Sequence, residues 1–185
     1  MRIISGSLGR RRLHPPDNLP VRPTTDMAKE SLFNILNNLI DFEDISMLDL
    51  FAGTGSIGFE FVSRGSSEVC AVDTNHACIA FIEKTAIEFK VMTMKTYHAD
   101  VFSFIQHTLK KFDVIFADPP FDSNATSSLP DKIFAKNLLL PDGLLVIEHP
   151  REVDFSKHPH FSQHRQYGKV NFSFFTAEEA EGNEK

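Results

Sequence analysis

The chain reads as an α/β protein with a mostly parallel sheet and helices on both faces. Three observations predict this. Short apolar runs alternate with segments of helical periodicity, the order that builds strand–helix–strand units. A glycine-rich stretch, Ala52-Gly53-Thr54-Gly55-Ser56-Ile57-Gly58, joins one such run to a helix. A second run, Phe112 to Phe116, is stopped by Asp118-Pro119-Pro120-Phe121, because two prolines cannot extend a sheet ladder.

At 185 residues one domain is expected, with a sizeable core and an ordinary hydrophobic content of 42%. No apolar run is long enough to span a bilayer, and the basic N-terminus lacks a signal-peptide core. Cys70 and Cys78 lack Cys-x-x-Cys spacing and are too few for a disulfide framework, so a reducing cytoplasm is expected. The net charge of −6 argues against a generic nucleic-acid binder. Its distribution is uneven. Arg2, Arg10, Arg11, Arg12 and Arg22 outweigh Asp17 by +4 within residues 1–22, leaving −10 for the rest. Residues 1–22 therefore read as a basic arm, 23–176 as the folded body, and 177–185 as an acidic disordered tail.

In order, Arg2 to Gly6 and Ser7 to Leu13 predict two short strands about a glycine turn. Thr24 or Thr25 caps a helix, with Asp26 at its positive end and Ala28, Leu32, Ile35, Leu36 and Leu39 on its apolar face. Ser46 to Phe51 is the first main strand. The helix after the glycine loop is closed by Gly65. Glu68 to Asp73 is a strand, His76 to Lys90 a helix, Lys95 to Asp100 a weaker strand, and Val101 to Lys110 a short helix. Asp122 to Pro130 is polar, holds four Ser or Thr residues, and reads as a mobile loop. A helix through Ile133 and Phe134, a turn at Pro141-Asp142-Gly143 and a buried strand from Leu144 to Glu148 follow. Phe161 to Thr176 predicts a hairpin about Gly168.

The strand ends carry the chemistry. Gly53 and Gly55 let backbone N–H groups approach a ligand, and the following helix offers its positive end. Asp73, 20 positions after Gly53, suits two ribose hydroxyls. Asp49 suits the ammonium of S-adenosylmethionine and would sit poorly beside a pyrophosphate; Asp100 suits an adenine amine. Phe51, Asn75 and Val101 flank these acids and join the expected cofactor site. Asp118 and the Pro119 carbonyl can accept hydrogen bonds from a planar substrate's amine, with Pro120 stiffening the turn and Phe121 stacking on the ring. A rigid turn is the bland alternative for Asp-Pro-Pro, and a structural cap on the loop the bland alternative for Asp49. His158 and His160 lack a third ligand at recognisable spacing, so no metal is expected. His149 beside Glu148 reads as structural.

These motifs resemble the class I S-adenosylmethionine-dependent amino-methyltransferases. Arg2-Ile3-Ile4-Ser5-Gly6, Gly9-Arg10-Arg11, Val21-Arg22-Pro23-Thr24-Thr25-Asp26 and Glu30-Ser31-Leu32-Phe33-Asn34 are similar to the RsmD-type 16S ribosomal RNA guanine-N2 methyltransferases, and the likeness runs nearly the whole chain. It implies a seven-stranded Rossmann-like sheet with a short basic N-terminal β-arm. It also implies 16S RNA, within the small subunit or an assembly intermediate, as the partner of a monomer, without membrane or metal. Arg10, Arg11, Arg12 and Arg22 are expected to touch phosphates, and Lys29 is grouped with them. Met27 and Lys29 stand where the family usually carries two basic residues. Three other readings remain at this stage: an adenine-N6 methyltransferase on DNA or RNA, a non-catalytic RNA-binding module of the same fold, and NAD-dependent reduction.

Overall fold

The computed structural model describes residues 1–19, 21, 25–120 and 123–178. Arg22, Pro23, Thr24 and Phe121 therefore lie outside the described residues, as does most of the tail.

The strand-forming runs meet as predicted in one seven-stranded sheet of order β3-β2-β1-β4-β5-β7-β6. β1 (Ser46–Leu50), β2 (Glu68–Asp73), β3 (Met94–His98), β4 (Phe112–Ala117) and β5 (Leu139–His149) are parallel. β6 (Phe161–Tyr167) and β7 (Val170–Thr176) form the hairpin about Gly168, and β7 runs antiparallel to β5. The inner strands are buried on both faces, which is why they read as continuous apolar runs rather than alternating ones.

α1 (Asp26–Leu36), α2 (Ser56–Ser63) and α3 (His76–Phe89) cover one face. α4 (Val101–His107) and α5 (Ser123–Ala135) cover the other. Thr25 caps α1 by accepting the Ala28 N–H at 3.2 Å. Its buried stripe is Ala28, Leu32, Phe33 and Leu36, while Leu39 lies beyond the helix and is exposed. Gly65, at φ +108, ends α2 as expected; its N–H reaches the Val62 carbonyl and the Ser66 N–H reaches that of Phe61.

Three local expectations give way to tertiary structure. The N-terminal strands reduce to one antiparallel bridge, Arg2 to Arg12, because turns through Gly6 (φ +80) and Arg10 (φ +71) consume the chain between its ends. Ile3, Leu8 and Leu13 are buried against Phe59 and Ile82, so this segment is packed onto α2 and α3. The predicted loop after the prolines is helix α5. Leu129 and Ile133 are fully buried, Thr126 is fully buried one turn earlier, and that packing outweighs the weak helix propensity of the Ser and Thr residues. Pro141-Asp142-Gly143 is a bulge within β5. The register jumps from Phe112↔Leu139 to Val114↔Leu144, with Asp142 at φ +61.

Candidate active site at the strand ends

β1 leads by one helix to β2 and onward to β3 on one side, whereas β4 and β5 lie on the other. The winding direction therefore reverses between β1 and β4, the switch point at whose carboxyl strand ends open α/β sheets bind their ligands. The glycine loop leaves β1 there, and Asp118 leaves β4 there.

Phe51 begins the loop in a left-handed conformation, φ +60, an uncommon state for a residue with a large side chain. Gly53 and Gly55 follow at φ +54 and +70. A methyl group on Gly55 would come within 2.9 Å of the Ile82 side chain and 3.3 Å of Phe59, so glycine is required there by both backbone and packing. Asp73 braces the loop. Its Oδ2 accepts the Gly53 N–H at 2.8 Å and its Oδ1 accepts the Asn75 N–H at 2.8 Å. Each oxygen keeps a further lone pair, and the residue is partly exposed. The spacing of 20 residues thus corresponds to a real contact, made because Leu50 of β1 lies beside Val72 of β2.

Asp49 is almost wholly buried, and its Oδ2 accepts the Gly58 N–H at 3.1 Å. This is the capping arrangement, at the positive end of α2. Burial holds its pKa well above the usual carboxylate range, the Gly58 bond opposes that, and the charges of Asp73 and Asp118 raise it further. A nearby cation would favour the ionised form.

The remaining expected cofactor residues divide. Asn75 caps α3, its Oδ1 accepting from Ala77 and Cys78 at 2.8 and 3.3 Å. Asp100 caps α4 by accepting the Ser103 N–H at 2.8 Å and is exposed at the rim. The Val101 side chain is fully buried with Ile105 and Val72, which leaves its backbone for any contact with a cofactor.

Asp118 is half-buried, Pro119 buried and Pro120 exposed. The Asp118 N–H continues the β1 pairing toward the Leu50 carbonyl at 3.5 Å. Its charge adds to that of Asp73 in raising the pKa of Asp49.

Lys29 is the clear correction among the basic residues. It is fully buried, 3.7 Å from Glu60, with Nζ donating to the Ser56 hydroxyl and the Arg2 carbonyl. Burial lowers its pKa and Glu60 opposes this. It cannot meet RNA. Arg10, Arg11 and Arg12 are exposed, and Arg11 lies 5.0 Å over the Phe89 ring.

Sequence reasoning missed the ties between the N-terminal segment and the glycine loop. A methyl on Gly53 would meet Val21 at 3.4 Å, and the Thr54 hydroxyl lies 3.6 Å from the Met1 sulfur. No motif spacing signals contacts of that kind. Elsewhere, a cavity of about 330 Å³ is lined by His149, His164, Asn171 and Ser173. His149 bonds the Ser173 hydroxyl and the Pro150 carbonyl, and is structural. His158 and His160 pack on Phe134. Among the described residues no group of three His, Cys, Asp or Glu side chains converges as for a metal, and no helix is long and apolar enough to cross a membrane.

The strand order, the glycine loop and the acids at the switch point define the Rossmann-like methyltransferase class. The family model described as Conserved hypothetical protein 95 matches residues 1–176. The chain belongs to that family. It is 34% identical over 158 residues to the "Putative rRNA methyltransferase YlbH" of Bacillus subtilis, covering 83% of this chain and 85% of that protein. It is 29% identical over 181 residues to the ribosomal RNA small subunit methyltransferase D of Escherichia coli, covering 96% and 90%. The solved structure "Putative methyltransferase yhhF from Escherichia coli" superposes with a TM-score of 0.85 at 26% identity, over 97% of this chain and 99% of that one.

Proposed function

We propose that this chain transfers a methyl group from S-adenosylmethionine to the exocyclic N2 amine of a guanine in 16S ribosomal RNA. The RNA is met within the small subunit or an assembly intermediate, by a single copy of the chain. The observation that carries the reading is Asp118: a half-buried residue at the switch point, where β4 ends beside β1, followed by two prolines. The names of the full-length relatives supply the RNA class.

The residues present fit the cofactor. Asp73 offers lone pairs to ribose hydroxyls, the loop amides are braced for close approach, and Asp49 provides negative charge for a cationic ligand. When bound, S-adenosylmethionine supplies an electrophilic methyl group. The chain must then prepare the nucleophile. The guanine amine is a poor one, since its lone pair is delocalised into the ring. Asp118 and the Pro119 carbonyl accept hydrogen bonds from its two N–H groups and turn the lone pair out of conjugation. Phe121 stacks on the base, and such positioning contributes much of the acceleration. Asp118 is also the nearest base for the proton that the amine loses.

The direct test is to map methylated nucleotides in small-subunit RNA from cells with and without the protein. One guanine N2 mark is expected to vanish. A lost adenine mark, or no change, would overturn the reading.

Arg10, Arg11 and Arg12 project from a segment anchored by buried Ile3, Leu8 and Leu13, and are assigned to phosphates with Arg22. Each phosphate contact adds roughly 0.7 to 0.9 to the slope of log affinity against log salt. Replacing the three by Ala is expected to reduce that slope by about 2, as read by subunit-binding titrations at several salt concentrations. An unchanged slope would make the arginines merely solvated.

A further inference from the structure

We infer that Glu148 reads the ring N1–H of the target base and so makes the site selective for guanine. The inference rests on the guanine-N2 reading above. β4 and β5 are parallel, with Ala117 opposite Ile147. One residue further along both strands, Asp118 comes opposite Glu148. Paired positions share a face, and neighbouring strands lie about 4.8 Å apart. By the same alternation this face carries Asp49, Phe116, Val146 and Phe172, the last paired with Glu148 itself. It is the face on which Asp118 acts on Asp49. Glu148 is half-buried, with Oε2 shielded from solvent.

The chemistry of the base explains a second acid here. The Watson–Crick edge of guanine sets two donors side by side, the N2 amine and N1–H, and enzymes that engage an unstacked base read that edge. Two carboxylates on adjacent strands match two adjacent donors. Adenine would place the N1 lone pair against the Glu148 anion. An acceptor on N1–H also shifts electron density toward the N2 amine, the atom that must attack. Glu148 is one methylene longer than Asp118 and reaches past it along the base edge. Glu148 is thus a specificity and positioning residue.

The test compares small subunits carrying guanine or 2-aminopurine at the methylated position. 2-Aminopurine keeps the amine but has a lone pair in place of N1–H. Wild-type protein is expected to prefer guanine in kcat/KM by on the order of 10²-fold, the worth of a hydrogen bond to a charged group. Glu148→Gln, whose amide can accept from N1–H or donate to the lone pair, is expected to cut that preference to within about tenfold. Binding with S-adenosylhomocysteine present, read by 2-aminopurine fluorescence and by competition, should follow the same order. Should Glu148→Gln fail to fold, Glu148→Asp makes the same test by withdrawing the carboxylate from N1–H. Equal losses on both bases, or an unchanged preference, would overturn the inference while leaving the methyltransferase intact. Failure of the wild type to methylate the guanine subunit would instead overturn the parent reading, and this one with it.

Discussion

Asp118→Ala is expected to lower turnover by about 10²–10³-fold, the usual cost of removing one well-placed polar group from a reacting centre. The carboxylate is the side-chain acceptor at the end of β4 and lies where the strand order reverses. Without it the amine keeps its lone pair in the ring and one hydrogen lacks an acceptor. The loss should fall on kcat rather than KM, since alignment matters most as the amine becomes pyramidal. Cofactor binding should persist, because the contacts that shape the glycine loop come from Asp73 and Asp49. Relief of repulsion on Asp49 should, if anything, ease that acid's ionisation. Single-turnover kinetics on assembled subunits, with a parallel cofactor titration, check both parts. Near-wild-type turnover would remove Asp118 from the chemistry.

Glu60→Ala is expected to destabilise the fold by about 3–5 kcal/mol, the cost of stranding a buried charge. Glu60 is fully buried on α2 and serves four partners. It lies 3.7 Å from Lys29, accepts from Arg64 at 3.0 and 3.1 Å, and accepts the backbone N–H groups of Ile4 and Ser5 at 2.8 and 3.1 Å. Its removal leaves the Lys29 ammonium without a counter-charge in the interior. It also frees the N-terminal segment from α2. Lys29→Met should cost less, because Glu60 would retain Arg64 and both backbone donors. Chemical denaturation of the three proteins gives the ranking; equal stabilities, or a costlier Lys29→Met, would show that the network is held by something else. At roughly 2–4 °C per kcal/mol for a chain of this size, the Glu60→Ala midpoint should drop by about 10 °C.

The same network shows where sequence reading stops. Lys29 is of a residue type that rarely lies inside, and the family resemblance grouped it with the arginines expected on RNA, although its spacing places it with Leu32, Phe33 and Leu36. Only the approach of α2, which brings Glu60 and Ser56 to it, turns it inward. Thr25, Gly65 and Gly168 behaved as read, because capping and tight turns are decided within a few residues. α5 did not. Ser and Thr favour loops locally, and the burial of Leu129 and Ile133 beneath the sheet is a long-range effect invisible in a short window. The inward turn of the Val101 side chain, at the first position of α4, is set by the same kind of packing.

From its sequence alone, the chain determined its α/β class, the course of its strands and helices, and the placing of the glycine loop, Asp73 and Asp118 at strand ends. Those features follow from hydrophobic period, glycine conformation and proline's missing N–H, all local. Tertiary structure decided which strand neighbours which, and hence that Asp73 braces Gly53, that Ala117 before Asp118 pairs with Ile147 before Glu148, and that Lys29 is buried rather than offered to RNA. Such pairings depend on contacts between residues tens of positions apart, and those exist only once the sheet has assembled.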